Sequence, residues 1–468
     1  MLDDAKGLTT GNMVAYGAVN MPLAMAGTPL ALLVPQFYSG DLGLNAAVVG
    51  GLILLARVTD VITDPIIGML SDRTRSRFGR RKSFIAVGLP FFVLAFWFLL
   101  VPGSSSSYFE LGFWIVFFYI AFTLIGLPYG AWGAELTDSY TTRTRMFGIR
   151  EGFGQLGIIT VSLIPFVATG WFGVEGNRDV LQILAIVVSV LCVFLVLPAL
   201  LYLPERPVME AVPHSEEPNS EKQGGYRFRE VFRNGPFVRV FITFTVFLLS
   251  LGMLVSLAIP WMRNVVGLSE SQAWGFMLME GVIGVAAVPI WVVLANRYTK
   301  HRMLCVSFLG AATTAVIGSI LIHNVDAGYL AGITFAVVAF TGVWSGAASV
   351  LPSAMAPDTV DLDTLRSGHE RAGMYYAVIG MGLKLAIGVG IALGAVAVSL
   401  IGFDMKPGSA AAPGIAPWVT FITLVLPALI NLLTLPLMWN FPLGADRHAT
   451  VARALERRRS RVAASVIQ

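Results

Sequence analysis

Three charged residues interrupt a stretch of sequence that is otherwise apolar enough to cross a membrane. Within GLILLARVTDVITDPIIGML, residues 51–70, Arg57, Asp60 and Asp64 are spaced three and four positions apart. On a helix this spacing places them on one face, with neighbouring side chains about 5–6 Å apart. Two carboxylates at this separation repel each other unless a cation, a proton or the arginine neutralises them. The spacing predicts a site for a small cation or a proton; the alternative is a structural ion pair between Arg57 and an aspartate.

The rest of the chain has the composition of an integral membrane protein. Of its 468 residues, 56% are hydrophobic and only 13% are charged, against about 25% charged in soluble domains. Charged side chains at membrane depth must face a protein interior or a wet cavity. Apolar runs near the 20 residues that cross a bilayer occur at 13–38, 46–70, 83–101, 113–133, 147–170, 181–203, 237–262, 273–295, 303–322, 329–351, 374–401 and 418–439.

These runs predict an all-α membrane protein with twelve transmembrane helices in two pseudo-symmetric six-helix bundles. The predicted domains are the bundles 1–203 and 237–440, a cytoplasmic linker 204–236 and a basic tail 441–468. LPYGAWGAELTDSYTTRTRMFG follows the fourth span, and the similar LPSAMAPDTVDLDTLRSGHERAGM follows the tenth. Such an internal repeat is typical of transporters that hold a solute between two bundles.

The distribution of Lys and Arg predicts the orientation. With both termini in the cytoplasm, 25 of these residues lie on the cytoplasmic side and 3 on the opposite side, as the positive-inside rule requires. We expect the cytoplasmic membrane of a bacterium. Residues 448–468 of the tail are expected to be a solvated end or a basic amphipathic helix at lipid headgroups.

Several motifs resemble those of one family. The loop GMLSDRTRSRFGRRK resembles the motif between spans two and three of major facilitator proteins, in the form found in glycoside–pentoside–hexuronide cation symporters. ARVTDVITDPIIG, PYGAWGAELTDSYTTRTR and LPSAMAPDTVDLDTLRSGHERAGMYY are similar to other signatures of that family, so the resemblance covers most of both halves.

The resemblance implies roles for residues of the cation site. Asp60 and Asp64 match the paired aspartates that bind sodium or a proton, and Thr123 matches a threonine near that cation. Lys384 matches a lysine close to the same site and is expected to pair with an aspartate; the alternative is that it reaches the membrane surface. For Thr123 the alternative is an ordinary hydrogen bond to a helix backbone.

Candidate solute-binding residues are fewer. Arg150 matches an arginine that contacts sugar in melibiose-type members; the alternative is that Arg150–Glu151 makes a structural pair with the neighbouring helix. Trp132 is a candidate stacking platform, but Trp is also common at membrane interfaces. Away from its ends, the first span has one strongly polar side chain, Asn20. Glu280, in the eighth span, is an intramembrane acid to which the sequence assigns no partner.

The cytoplasmic loop after the second span is predicted to be a conformational latch. The latch residues are Asp72, Arg73, Arg77 and Arg80. In this interpretation Asp72 pairs with arginines near the end of a neighbouring helix in one state and releases them in the other, which gives the two arrangements that alternating access needs. The alternative is that the loop's cations only set the topology.

The predicted function is secondary active symport of a small organic solute, such as a glycoside, with Na⁺ or H⁺. The expected partners are the solute, the monovalent cation and the bilayer. We expect no other cofactor and no nucleic-acid partner, and we expect the protein to be a monomer. A nucleotide-binding phosphate loop and an intramembrane catalytic cluster are both missing from the sequence, so we do not expect an enzyme. The alternatives are export, an amphipathic or lipid-like solute, and a non-transporting enzyme or receptor.

The protein is predicted not to bind simple galactosides tightly. The two carboxylates that hold galactosyl hydroxyls in melibiose-type members fall at Ala24 and Gly126 here, and a sugar site needs several aimed hydrogen-bond partners. Direct binding assays with melibiose and a nitrophenyl galactoside check this, and affinity in the low millimolar range or tighter would contradict it.

Overall fold

The computed structural model describes residues 9–74, 76, 78–103, 107–137, 140–174, 176–203, 231–367, 372–406, 408–444, 447, 450–451, 453–455 and 457. Over these residues the chain is helical and contains no strand. Among them, eleven helices are long and apolar enough to span a membrane, and a further apolar segment, Ala416–Leu432, is shorter. The predicted all-α class is confirmed.

The first six spans are built from seven α-helices and one π-helical turn. They are α1 Thr10–Ala18, α2 Asn20–Gln36, the π-turn Phe37–Asp41, α3 Ala46–Arg73, α4 Arg80–Leu100, α5 Tyr108–Glu135, α6 Tyr140–Gly170 and α7 Asn177–Tyr202. The later spans are α8 Gly235–Asn264, α9 Glu270–Tyr298, α10 Lys300–Asn324, α11 Ala327–Ser367, α12 Ala372–Leu400, α13 Ala416–Thr420, the π-turn Phe421–Val425, α14 Leu426–Leu432 and α15 Leu435–Trp439.

The first span is interrupted, where the sequence predicted one continuous run. Helix α1 ends at Ala18 and α2 begins at Asn20. Pro22 causes the break, because it has no N–H to donate to the carbonyl of Ala18, four residues earlier. The break places Asn20 at a helix start within the membrane, where discontinuous helices commonly carry binding residues.

The last span is also interrupted, for the same reason. Pro427 cannot donate to the carbonyl of Thr423, and a π-turn precedes it. Pro436 cannot donate to the carbonyl of Leu432, where α14 ends. Two missing backbone donors therefore divide the predicted run 418–439 into short pieces.

The chain divides into two compact units. The first contains Met1–Val212, Val255–Leu278 and Ile391–Val419, and the second contains Pro213–Leu254, Met279–Gly390 and Thr420–Gln468. In the first unit α3 and α4 both pack against α5, and α2 packs against α6; in the second, α10 packs against α11. The bundle boundaries 1–203 and 237–440 stay a prediction.

A polar cluster in the first unit joins ends of helices that were predicted to lie opposite the cytoplasm. Asn177 Nδ2 donates to Asp41 Oδ2 at 2.7 Å, and Arg263 forms an ion pair with Glu270 at 3.2 Å. The sequence assigned Arg263 to topology alone. Its contact with Glu270 shows that the few charges on this side also join one helix to the next.

Part of the tail packs into the protein, and two of the buried residues, Val451 and Leu455, lie within the segment 448–468 for which the sequence predicted a solvated end or an amphipathic helix. Four of its apolar residues are buried in the hydrophobic core of the second unit: Phe441, Leu443, Val451 and Leu455. Leu304 and Leu362 belong to the same core. Burial of apolar side chains, more than attraction to lipid headgroups, therefore holds this part of the tail.

Two helices at matching places in the repeat begin after an unusual backbone conformation. Gly79, before α4, has φ +101°, and Thr299, before α10, has φ +105°. Among the described residues Thr299 is the one non-glycine residue with positive φ. A β-branched residue is strained in this conformation, which glycine adopts readily.

We therefore predict that Thr299→Gly stabilises the folded protein by about 1 kcal/mol. The substitution removes the strain at the start of α10, and a thermal unfolding curve in detergent measures the gain as a higher Tm. Thr313→Gly, within the same helix, is the matched control and should lower the Tm, because glycine disfavours a helix interior by about 1 kcal/mol. Equal effects of the two substitutions would contradict the prediction.

Candidate cation and solute site

The three charged residues of α3 lie on one face, as their spacing predicts. Asp60 is 3% exposed and Asp64 is half-buried. The Nη1 atom of Arg57 lies 3.5 Å from Asp60 Oδ2. The arginine therefore pairs with the nearer aspartate in sequence and leaves Asp64 to make other contacts.

Helix α5 supplies partners for both ends of this face. Thr123 Oγ1 donates to Asp64 Oδ1 at 2.9 Å, which brings two predicted site residues into direct contact. One turn earlier on α5, the ring of Tyr119 lies beneath the Arg57 guanidinium, 4.1 Å from the ring centroid. An arginine over an aromatic face is attracted by the ring quadrupole. The packing of α3 against α5 thus fixes both Arg57 and Asp64.

Thr63 is a further member of this face that the sequence reasoning missed. Its buried hydroxyl has no hydrogen-bond partner among the described residues. It lies three positions after Asp60 and directly before Asp64, so helical spacing alone could have identified it. Carboxylate and hydroxyl oxygens are hard ligands of the kind that hard cations prefer. The face therefore gathers the donor set that a hard monovalent cation needs.

The candidate solute residues surround an aromatic cluster formed by α1 and α5. Tyr16 donates its hydroxyl to the carbonyl of Tyr129 at 3.2 Å, and Tyr129 donates to the carbonyl of Tyr16 at 2.8 Å. The two rings stack with centroids 4.6 Å apart. Arg150 lies near this stack, with its guanidinium 5.7 Å from the centroid of Tyr129.

Asn20 and Arg150 are brought together across α2 and α6. Asn20 Nδ2 donates to the backbone carbonyl of Arg150 at 3.0 Å. The Arg150 guanidinium pairs with Glu151 at 3.1 Å and lies 5.2 Å from the centroid of Phe147. This ion pair lies within α6, so it is not the pair with a neighbouring helix that the sequence offered as the alternative, and the solute role of Arg150 stays a prediction.

Trp132 belongs to the same cluster but is almost completely buried. Its exposed fraction is 1%, the ring of Tyr16 meets it edge-on at 6.3 Å, and the Lys82 ammonium lies 5.6 Å from its centroid. A solute that stacks on Trp132 would have to displace one of these neighbours. The stacking role stays a prediction.

The predicted latch contains an ion-pair network that the sequence identified only in part. Arg80 Nη2 lies 2.6 Å from Glu135 Oε1, and Arg81 Nη2 lies 2.8 Å from the same oxygen. Arg81 is 6% exposed and also donates to Ser71 at 2.7 Å. The sequence analysis did not identify Ser71, Arg81 and Glu135 as members of this network. Two features of the sequence could have indicated it: the adjacent arginines Arg80 and Arg81, and the acid of the GAELTD motif, Glu135.

The structure describes the other predicted latch residues only in part. Arg73 is exposed at the end of α3. The side chain of Asp72 and the whole of Arg77 lie outside the described residues, so their part in the latch stays a prediction.

The second half of the repeat has a matching ion pair. Lys300, the first residue of α10, lies 2.7 Å from Asp358 of α11 and donates to the carbonyl of Ala354 at 2.9 Å. Asp358 follows Leu351-Pro352 as Glu135 follows Leu127-Pro128. In each half, a cation at the start of one helix therefore binds an acid on the next.

Lys384 is half-buried on α12 and belongs to the second unit. Its pairing with Asp60 or Asp64 stays a prediction. Among the described residues there is also no group of three or more His, Cys, Asp or Glu side chains that could hold a metal ion together.

Comparison with known proteins agrees with this arrangement. A family model described as MFS/sugar transport protein matches residues 15–445. The chain is 25% identical to an uncharacterised symporter of Synechocystis, over 95% of this chain and 96% of that protein. It is 22% identical to the sodium-dependent lysophosphatidylcholine symporter 1-A of Danio rerio, over 85% of this chain and 79% of that protein.

Solved structures share the fold. A bacterial homologue of the human lysosomal transporter Spinster, in an inward-facing and occupied conformation, superposes with a TM-score of 0.65 at 15% identity, and the match covers 96% of this chain and 98% of that one. At this identity the likeness shows the fold alone. The family model, however, matches nearly the whole sequence and confirms the resemblance to sugar–cation symporters, so the chain belongs to the family of MFS/sugar transport proteins and is a transporter rather than an enzyme.

Proposed function

We propose that this protein is a symporter that couples the movement of a small organic solute to that of Na⁺ or H⁺ by alternating access. One observation carries the coupling: Thr123 Oγ1 donates to Asp64 beside an Asp60 that is paired with Arg57. Two carboxylates and one guanidinium leave a net charge of about −1, which one monovalent cation or proton neutralises. No cofactor besides the coupling ion is proposed.

The ligands proposed for the cation are the carboxylates of Asp60 and Asp64 and the hydroxyls of Thr123 and Thr63. All four side chains lie on the facing surfaces of α3 and α5 or are buried next to them. If the coupling ion is a proton, one aspartate accepts the proton and the other aspartate stays ionised in an ion pair with Arg57. In this proposal Lys384 is a charge partner of Asp60 or Asp64, since an ammonium at membrane depth needs an acidic partner.

The proposed solute site is formed by Asn20, Arg150 and Trp132. Their support is the shared aromatic cluster of Tyr16 and Tyr129, against which Arg150 lies. Rings next to a guanidinium suit a solute with an apolar face and hydrogen-bond acceptors. A sugar or glycoside presents such a combination, which agrees with the name of the family.

An amphipathic solute is the second candidate. It is favoured by the small number of polar side chains in the first span and by the name of the Danio rerio relative, a lysophosphatidylcholine symporter. Arg150 would then meet an anionic headgroup, and the surrounding rings would meet the apolar chain. The same site could also work in export if the gradients are reversed.

The remaining parts of the proposal concern the membrane and the latch. Both termini lie in the cytoplasm, the membrane is the bacterial cytoplasmic membrane, and the protein works as a monomer. The loop with Asp72, Arg73, Arg77 and Arg80 closes one state and opens in the other. The Arg80 and Arg81 pairs with Glu135 support a closed arrangement at this end of α3 and α4.

A thermal-shift screen followed by vesicle uptake tests the function. Purified protein is melted with glycosides, other sugars and lysophospholipids, each in NaCl and in choline chloride and at two pH values. A ligand that binds only the folded state at 100 times its Kd stabilises it by about 2.7 kcal/mol. We expect the stabilising solute to accumulate in proteoliposomes only when a Na⁺ or H⁺ gradient is present. Accumulation that is the same with and without each cation gradient would overturn the proposal.

We predict that Asp60→Asn and Asp64→Asn each abolish the stabilisation by the coupling cation and the cation-driven accumulation, while the protein stays folded. The amide keeps the shape of the side chain but removes the charge that attracts Na⁺ or accepts a proton. A purely structural Arg57–Asp60 pair predicts the opposite, because loss of one partner of a buried pair costs about 3–5 kcal/mol of stability. Tm and uptake, measured on the same preparations, separate the two cases.

Two further variants sharpen this test. Thr63→Val removes the partnerless hydroxyl, so it should leave the Tm unchanged but weaken cation binding about tenfold. Asp326→Asn, at an exposed loop position, is the control and should change neither property. Mutants of Asp60 and Asp64 that fold and still respond to the cation would exclude the site.

We predict that Asp72→Asn lowers the turnover of transport more than it weakens solute binding. The latch acts on the exchange between states and does not touch the solute, so its loss changes the rate and leaves the affinity. Glu135→Gln removes the negative charge that Arg80 and Arg81 share, and it should have the same effect. Uptake rates at saturating solute and binding by thermal shift measure the two quantities, and unchanged turnover in both variants would leave the loop with a role in topology alone.

A further inference from the structure

Glu280 lies at a close crossing of two helices in the second unit. A Cβ atom placed on Gly342 of α11 would lie 2.6 Å from the backbone carbonyl oxygen of Glu280, and one placed on Gly346 would lie 2.6 Å from that of Gly284. Glycines at both positions allow the backbones of α9 and α11 to touch. The position of Glu280 relative to α11 is therefore fixed by backbone contact.

This crossing lies deep in the predicted membrane. Glu280 is ten residues from the start of α9, which corresponds to about 15 Å along a helix, or about half the hydrocarbon thickness of a bilayer. Gly284, Ala287 and Trp291 continue the same helix face, and Ala287 and Trp291 belong to the hydrophobic core of the second unit. The Glu280 side chain thus points to the packed side of its helix.

The partner of the carboxyl is a hydroxyl. Ser345 Oγ lies 3.0 Å from Glu280 Oε1 and 3.1 Å from the carbonyl oxygen of Gly342. A hydroxyl has one proton, so it can make a well-aligned hydrogen bond to only one of the two acceptors. Both hydrogen bonds form together when the carboxyl carries a proton, because the acid O–H then donates to Ser345 Oγ and Ser345 donates to Gly342.

On the two helices that form the crossing, charged and titratable groups lie several turns from this carboxyl. On α9 the first are Glu270 and Arg297, ten and seventeen positions away; on α11 the first after Ser345 is Asp358, thirteen positions on. At about 1.5 Å per residue these separations are 15 Å or more. Helix α10 meets α11 through Gly310 and Trp344. Its charged and titratable residues all lie towards its two ends: Lys300, His301, Arg302, Cys305 and His323.

We propose that Glu280 is a proton-binding site, which holds one proton in the folded protein at neutral pH and donates it as a hydrogen bond to Ser345. Among the described residues of α9 and α11, an ionised carboxylate here would have one neutral donor and no cation within several turns, at a depth where a charge is costly. The proton comes from water and returns to water when the crossing is hydrated. The site is separate from the aspartates of α3, and its contribution to transport, though not its protonation, rests on the proposed function.

Infrared spectroscopy of the purified full chain tests the proposal without any solute. The probe is the proton itself, as the carbonyl band of a protonated carboxylic acid, followed in H₂O and D₂O from acidic to alkaline pH. At neutral pH the wild type should show a band that Glu280→Gln lacks and that the exposed control Asp326→Asn keeps. Ser345→Ala should keep the acid but shift its band, because the hydrogen bond is lost.

Thermal unfolding gives a second readout. A proton bound in the folded state and released on unfolding makes stability fall as pH rises. Glu280→Gln mimics the neutral acid, so its Tm should fall less with rising pH than that of the wild type or Asp326→Asn. Identical infrared bands in wild type and Glu280→Gln at neutral pH would show an ionised Glu280 and overturn the proposal, as would parallel pH profiles of their Tm.

Discussion

A charged side chain in hydrocarbon costs about 2.5–3.5 kcal/mol even on the most lenient insertion scale, and this cost organises the polar interior of the protein. Arg57 offsets it with a carboxylate on its own helix and an aromatic face on the next. Asp64 has the hydroxyl of Thr123. Each of these contacts depends on the packing of α3 against α5, so the site cannot form unless the two helices keep one register.

Most of the fold followed from hydropathy, because each span must be apolar over a length set by the bilayer. The interruptions did not follow, although their cause is visible in the sequence. Pro22 and Pro436 each remove one backbone donor, yet other spans carry a proline within an unbroken helix, as α3 does at Pro65. Whether a proline breaks a helix depends on tertiary packing, which composition does not report.

The site was predictable where one helix carries it. The spacing of Arg57, Asp60 and Asp64 was sufficient to place them on one face, whereas the contact of Thr123 with Asp64 rested on a family resemblance. The roles of Tyr119 and Glu135 were missed. Which residue of one helix lies opposite a residue of another depends on how the two helices are rotated and shifted against each other, and the sequence of neither helix determines this by itself. Glu280 was recognised as an unusual acid, but its serine lies 65 positions away.

The matching ion pairs of the two halves have a consequence for how the sequence can evolve. Arg80 and Arg81 pair with Glu135 in the first repeat, and Lys300 pairs with Asp358 in the second. Loss of the acid in either half leaves its cations poorly compensated, so a compensating change must arise within the same repeat. Each half can therefore change its ion pair without a change in the other half, and the two halves do carry different pairs, arginine with glutamate in one and lysine with aspartate in the other. Across relatives, substitutions at these positions should co-vary within a half and drift independently between halves.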